Sequence, residues 1–324
     1  MASASEVISM VGVQESSDMS RVGARQAIRP RLVAVASGKG GVGKTMICLG
    51  IAWYLAKIGY RVVAADMDFG VGNLHLSAGL GRVDRSLDDF FRGAGSNIGD
   101  LAIPLPDNNR LAILAAGGRY SSATTVPDAS LDDLLEKLSG MDADFVFLDV
   151  GAGTSQGSVG IFSGAHYQIG VTTGDLSAMA ALTSLFRKSR VHAILNRVIR
   201  ACPELSSMAG RDYASVSELF AHMDDQVNTQ LILPIAEDAA KMFHPAVLVN
   251  RARDADIVQI QRINKNVAHS LNSADSVMGV IPDDEIVGDC RRRGQNFLKM
   301  APACHAARAL ATITNKWHEM YVST

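Results

Sequence analysis

Aromatic residues are scarce in this chain of 324 residues, at 6% of the total, while glycines number 29. That balance suits an α/β protein built on small residues better than a β-sandwich. Cysteine is almost absent. Cys48, Cys202, Cys290 and Cys304 include no Cys-x-x-Cys pair, which argues against a disulfide framework or a cysteine-rich zinc site and points to a reducing cytoplasm. No uncharged apolar run approaches ~18 residues, so no transmembrane helix is expected. Charge of one sign does not dominate either. With 31 Lys+Arg against 33 Asp+Glu and a net charge of −2, the chain has no bulk attraction to nucleic acid or acidic lipid. The eight histidines form no metal spacing such as H-E-x-x-H. Residues 1–30 carry Glu6, Glu15 and Asp18 and no long apolar run. They read as a flexible tail rather than a secretory signal, ahead of a single domain over 31–324.

Order is expected to begin abruptly. Leu32-Val33-Ala34-Val35-Ala36 is apolar throughout, as a strand buried on both faces of a parallel sheet is. A glycine-rich turn follows, and then Ile47, Ile51 and Leu55 recur at helical spacing. Further strands are expected at Arg61–Ala65 (ending in Asp66 and Asp68), Phe145–Leu148 (ending in Asp149), Gln168–Thr173, Val247–Val249 and Met278–Ile281. Helical patterns lie around 131–139, 175–200, 214–223, 229–243, 255–272 and 303–320. Alternating strands and helices predict a doubly wound, mostly parallel sheet flanked by helices, with ligands at the carboxyl ends of its strands. The stretch from about 175 to 245 is long for one crossover and reads as a helical elaboration at one sheet edge.

The segment Ser37-Gly38-Lys39-Gly40-Gly41-Val42-Gly43-Lys44-Thr45 satisfies G-x-x-x-x-G-K-[ST] between a strand and a helix. Glycines let successive backbone N–H groups point into one concavity, and the following helix, which includes Met46, directs its positive end there. In this pattern Lys44 reaches the β- and γ-phosphates and the Thr45 hydroxyl ligates Mg²⁺.

Lys39, a second lysine inside the loop, marks the deviant Walker A group. The chain here resembles the MinD/ParA family, and its FlhG-like branch in particular. Asp66-Met67-Asp68-Phe69-Gly70-Val71-Gly72-Asn73 resembles that family's first switch. Phe145 to Thr154 resembles its Walker B strand and second switch, and Gly279-Val280-Ile281-Pro282-Asp283-Asp284 its late loop. The resemblance spans about 32–315. It implies an ATPase that dimerises when ATP is bound, with Lys39 contacting phosphate across the dimer. Asp68 then orients the attacking water, Asp66 and Asp149 serve the Mg²⁺ site with Thr45, and Asn73 bonds within the switch. The family reads adenine with an Asn-Arg pair. Asn250-Arg251 follows a strand and is preferred over Asn196-Arg197, which lies in a helical run. Asn250 would donate to and accept from the adenine edge, Arg251 stack on the ring, and Pro282-Asp283 close its other side.

The sequence departs from the family at Gly174-Asp175-Leu176-Ser177, where a T-P-E or N-P-E segment is usual; contacts to switch or partner surfaces there stay open. A stripe of Ala306, Leu310, Ile313, Trp317 and Met320 reads as core packing rather than a membrane helix. Arg291-Arg292-Arg293, expected near the start of a helix, reads as a solvated face rather than a DNA contact. The leading expectation is a slow, Mg-dependent ATPase switch that positions or regulates a flagellum, pilus, chromosome or division site. Its partners would be a second copy and a protein regulator or cargo, in the cytoplasm or peripheral to the inner membrane. The competing expectation is a metabolic or iron–sulfur-related enzyme on the same scaffold.

Overall fold

The computed structural model describes residues 29–70, 72–92, 97–117, 128–224, 229–253, 256 and 277–321. Residues 1–28 of the tail expected over 1–30, and all but residue 256 of the helix expected at 255–272, lie outside the described residues.

The strands are β1 Arg31–Ala36, β2 Val62–Met67, β3 Ile103–Leu105, β4 Asn108–Leu114, β5 Phe145–Val150, β6 Tyr167–Thr172, β7 Ala246–Ala252 and β8 Val277–Pro282. Among the described residues they form one sheet in the order β3-β4-β2-β5-β1-β6-β7-β8. Every neighbouring pair is parallel except β3–β4. The longer helices are α1 Lys44–Lys57, α2 Asp128–Leu138, α3 Gln156–Gly164, α4 Leu176–Ala201, α5 Val216–Asp224, α6 Thr229–Met242, α7 Glu285–Arg292 and α8 His305–Tyr321. The expected mostly parallel, doubly wound α/β architecture is what the chain adopts.

Strand geometry sends alternate side chains to opposite faces, and β1 supplies both cores at once. Val33 and Val35 join Ile47, Ile51, Leu310 and Trp317 of α1 and α8. Leu32, Ala34 and Ala36 join Leu134, Phe162 and Leu185 of α2, α3 and α4. A third cluster, including Val191, Leu195, Leu205, Tyr213, Leu219 and Ile232, binds the outer half of α4 to α5 and α6. The chain leaves β1 for β2 on one side and later passes from β5 to β6 on the other. That reversal opens a crevice at the carboxyl end of β1, where doubly wound sheets bind ligands.

Three expectations change. Asp66 and Asp149 lie inside β2 and β5 rather than beyond them. The β3–β4 hairpin at the sheet edge was not anticipated. The arginine triplet ends α7 instead of starting it, where its cations oppose the negative end of the helix dipole. Four members of the C-terminal stripe, Ala306, Leu310, Ile313 and Trp317, are spent on the core, whereas Met320 is half exposed. Among the described residues no helix is long and apolar enough to cross a membrane.

Trp317 is fully enclosed, with its ring centroid 5.8 Å from Phe145, 6.2 Å from Phe147 and 5.4 Å from Tyr167. Trp317→Ala is therefore expected to cost about 3–5 kcal/mol in urea unfolding, the usual range for emptying an aromatic site. A loss below about 1 kcal/mol would mean that α8 does not carry this face of the sheet.

Candidate functional site

Parallel pairing sets the central geometry. Asp66 and Asp149 are register partners on β2 and β5, so two carboxylates stand side by side, and both are buried. Lys44, the first residue of α1, places Nζ 2.5 Å from Oδ1 of Asp149 and is itself buried. Burial opposes the charge on Lys44, but Asp149 and then Asp66 offset that opposition and hold its pKa above the ordinary lysine value. Asp66 has no such ion pair. Burial, and then the charge of Asp149, push its pKa from 3.8 up to about 7, although it accepts hydrogen bonds from the backbone N–H of Leu74 and Asp68.

Those two hydrogen bonds tie the segment after β2 to the sheet. Asp68 is half-buried and comes close to Gly151, where a Cβ would lie 3.7 Å from its carboxyl group. The segment after β5 is fastened to the phosphate loop, since Gly153 N–H donates to the Ser37 carbonyl at 2.9 Å. Thr45 is half-buried next to Lys44, and Met46 packs partly against the core behind the loop.

The loop has the form of a cradle. Side chains at Gly40 or Gly41 would meet only open space, so nothing fills the concavity above the backbone. Gly43 is different: its φ is +92°, and a Cβ there would come 2.1 Å from Nδ2 of Asn250. Asn250 sits under the loop and donates from Nδ2 to the Val42 carbonyl at 2.8 Å. One of its two amide N–H donors is thus committed to the loop, and Oδ1 is buried without a hydrogen-bond partner among the described residues. Arg251 has a left-handed φ of 54°, uncommon for a non-glycine residue. Asp283, just past Pro282, is bridged by Arg251 at 3.5 Å and by Arg253 at 3.0 Å. Asn196 lies within α4 against His192, away from the loop, so the two Asn-Arg pairs separate as expected.

Lys39 does not turn into its own loop. Its Nζ lies 3.1 Å from Asp175 Oδ2 and 2.6 Å from Ser177 Oγ. Asp175 is the N-cap of α4 and accepts from the Ser177 N–H, and that hydrogen bond, with Lys39 next, lowers its pKa. Both residues fall in the departure from the family pattern. Their signal was available, because D-x-S ahead of an apolar helix is a capping arrangement. Gly174, where the family has proline, is required by space: a Cβ there would come 2.6 Å from the Asp256 carboxyl carbon.

A family model described as the CobQ/CobB/MinD/ParA nucleotide binding domain matches residues 33–297. The chain belongs to this family, that of the MinD and ParA ATPases. It is 32% identical over 148 residues to the septum site-determining protein MinD of Bacillus subtilis, covering 45% of this chain and 54% of that protein. It thus spans about half the length of curated relatives it matches. The fold resembles that of MinD from Pyrococcus horikoshii, solved with Mg-ADP, at a TM-score of 0.61 and 18% identity over 91% of this chain and 98% of that one. It also resembles Aquifex aeolicus MinD solved as a MinC:MinD complex, at 0.59 and 20%, over 89% of this chain and 96% of that one.

The residues present fit a magnesium polyphosphate. The open cradle and the dipole of α1 suit the anion, and the oxygens of Thr45, Asp66 and Asp149 suit a hard divalent cation. Among the described residues no cluster of three or more His, Cys, Asp or Glu side chains stands ready for a metal. A cation here must complete its shell with phosphate and water, as Mg²⁺ commonly does.

Asp66 links folding to pH in the nucleotide-free protein. Its native pKa of about 7 lies above the unfolded value, so its protonation supports folding below about pH 4 and that support is lost as pH rises through about 7. Asp66→Asn should gain on the wild type in urea-unfolding stability between pH 5 and pH 8, measured without nucleotide or Mg²⁺; a pH-independent difference contradicts the assignment. Gly43→Ala should lower stability and weaken nucleotide binding by at least about tenfold, because left-handed backbone and the Asn250 amide oppose its methyl group together.

Proposed function

We propose that this chain is a cytoplasmic ATPase that works as a dimerisation switch, hydrolysing ATP slowly with Mg²⁺. It would position or regulate a cellular machine (a flagellum, a pilus, a chromosome or the division site) in the manner of the FlhG-like branch. Residues 31–324 would act as one unit carrying the 175–245 helices. The observation that carries this reading is the posture of Lys39, exposed at the rim of the cradle and held by the start of α4 instead of its own loop. A lysine so placed is available to the phosphates of a second copy. The exposed Leu176 next to it adds apolar surface on the same rim. The Bacillus subtilis relative is named for septum-site determination, and the Aquifex aeolicus relative was solved with MinC. Both favour a positioning role exercised through a protein partner.

Phosphoanhydride hydrolysis needs an in-line water, charge neutralisation across the β- and γ-oxygens, and donors for the growing negative charge. Lys44 would exchange Asp149 for those oxygens while the backbone N–H groups from Gly38 to Thr45 cradle them. Thr45, Asp149 and Asp66 would hold Mg²⁺, which supplies positive charge to the phosphate oxygens. Asp68, beside Gly151, would accept a hydrogen bond from the attacking water and so aim it. Lys39 of each copy would leave Asp175 and stabilise charge on the other's triphosphate, as an arginine finger does. At the base, Asn250 would contribute its Oδ1, with Arg251, Pro282 and Asp283 enclosing the ring.

Light scattering with ATP, with ADP and without nucleotide tests the switch, and a doubled mass with ATP alone is expected. Lys39→Ala should abolish both that doubling and most phosphate release. Asp68→Ala should keep the ATP-bound dimer while slowing release by about 100-fold. One mass in all three states would sink the reading.

A further inference from the structure

The chain leaves β5 through Gly151-Ala152-Gly153, where two glycines give the backbone unusual freedom. Holding such a stretch in one conformation costs entropy. The structure nevertheless fixes it at both glycines. Gly153, with a φ of 103°, donates its N–H to the Ser37 carbonyl. Gly151 is buried, and its carbonyl accepts a hydrogen bond at 3.2 Å from Ser158 Oγ, seven residues further on.

Ser158 lies in the first turn of α3, is 2% exposed, and has the buried apolar residues Val159, Ile161 and Phe162 after it. The helix does not need its hydroxyl as a cap. Ser155 fills that role and accepts from the Ser158 N–H at 3.2 Å. The Ser155 hydroxyl donates in turn to Ser158 Oγ at 2.9 Å. A hydroxyl has a single proton to give, so this arrangement leaves the Ser158 proton for the Gly151 carbonyl. The same glycine borders Asp68. A Cβ built on Gly151 would stand 3.7 Å from the Asp68 carboxyl carbon and 3.7 Å from Ser158 Oγ, both ordinary contact distances.

We propose that Ser158, oriented by Ser155, is a positioning residue for ATP hydrolysis. By holding the Gly151 carbonyl it fixes the backbone against which the Asp68 carboxylate is set, and so the line along which Asp68 aims the attacking water. Ser158 itself touches no reacting atom. The proposal rests on the ATPase reading above and on the role given there to Asp68. A misplacement of about 1 Å at a reacting group costs up to about 100-fold in rate, so one buried hydrogen bond behind the site is enough to matter.

Ser158→Ala removes only the hydroxyl and keeps a good helix former, so the full-length variant is expected to fold. Its kcat for ATP hydrolysis should fall about tenfold, with the KM for ATP changed by less than about twofold. In an Asp68→Ala background the same substitution should alter the residual rate by less than about twofold, because Ser158 acts through Asp68. Hydrogen exchange of the nucleotide-free protein supplies a readout independent of activity. The Gly153 amide should exchange at least about tenfold faster in Ser158→Ala, while the amides of β1 keep their wild-type rates. An unchanged kcat, or an equal fractional loss in the Asp68→Ala background, overturns the positioning role. Wild-type exchange at Gly153 overturns the bracing on which that role depends. If the wild-type protein releases no phosphate from ATP, the ATPase reading fails instead, and the exchange of Gly153 still decides whether Ser158 holds this segment.

Discussion

Two carboxylates on adjoining parallel strands, answered by one ammonium, are the constraint on which the site depends. Parallel register makes Asp66 and Asp149 lateral neighbours, and the sheet buries both. Removing a charge from water costs several kcal/mol even after relaxation, and a second like charge alongside makes the cost steeper. Lys44 answers Asp149 directly and Asp66 at longer range, so the pair is left short of positive charge, which the raised pKa of Asp66 records. A fold that keeps this arrangement is poised to accept a cation.

The loops around this charge cluster follow from the same demand. The segment after β2 is held by hydrogen bonds to Asp66, and the segment after β5 is bonded to Ser37 at the start of the cradle. Asn250, at the carboxyl side of β7, supports the Val42 carbonyl from below. Two of these links, from Gly153 and from Asn250, reach the phosphate loop, while Asp66 of β2 fastens its own following segment.

What the sequence revealed and what it hid have separable causes. β1, β2 and β5 are buried on both faces and carry continuous apolar runs, so their existence and the cradle between β1 and α1 were legible. The ends of β2 and β5 were misjudged because their last residues include the carboxylates Asp66 and Asp149, whose polarity resembles a strand end. β3 and β4 escaped notice because the hairpin is an edge feature. Pro104 interrupts one strand, and Asn108, Asn109 and Arg110 open the other, although Asn108 is buried and donates to the Trp53 carbonyl. At the candidate site, the individual residue types were readable from the motifs, whereas the tether of Lys39 was not. It joins residues 136 positions apart, and only the fold places the start of α4 next to the loop.

That tether ties the exposed lysine to the elaboration. α4 begins at the Asp175 cap that holds Lys39, and it runs 26 residues to Ala201. At 1.5 Å per residue the helix is about 39 Å long. Its first half packs on the sheet through Leu182, Leu185 and Phe186, and its second half organises the cluster containing Val191, Leu195 and Val198. One helix, packed along its length, thus joins the residues that hold Lys39 at one end to the elaboration at the other. The departure at residues 174–177 then has a physical meaning. Gly174 leaves room for the Asp256 side chain, and Asp175 caps the helix whose Ser177 is the second partner of Lys39.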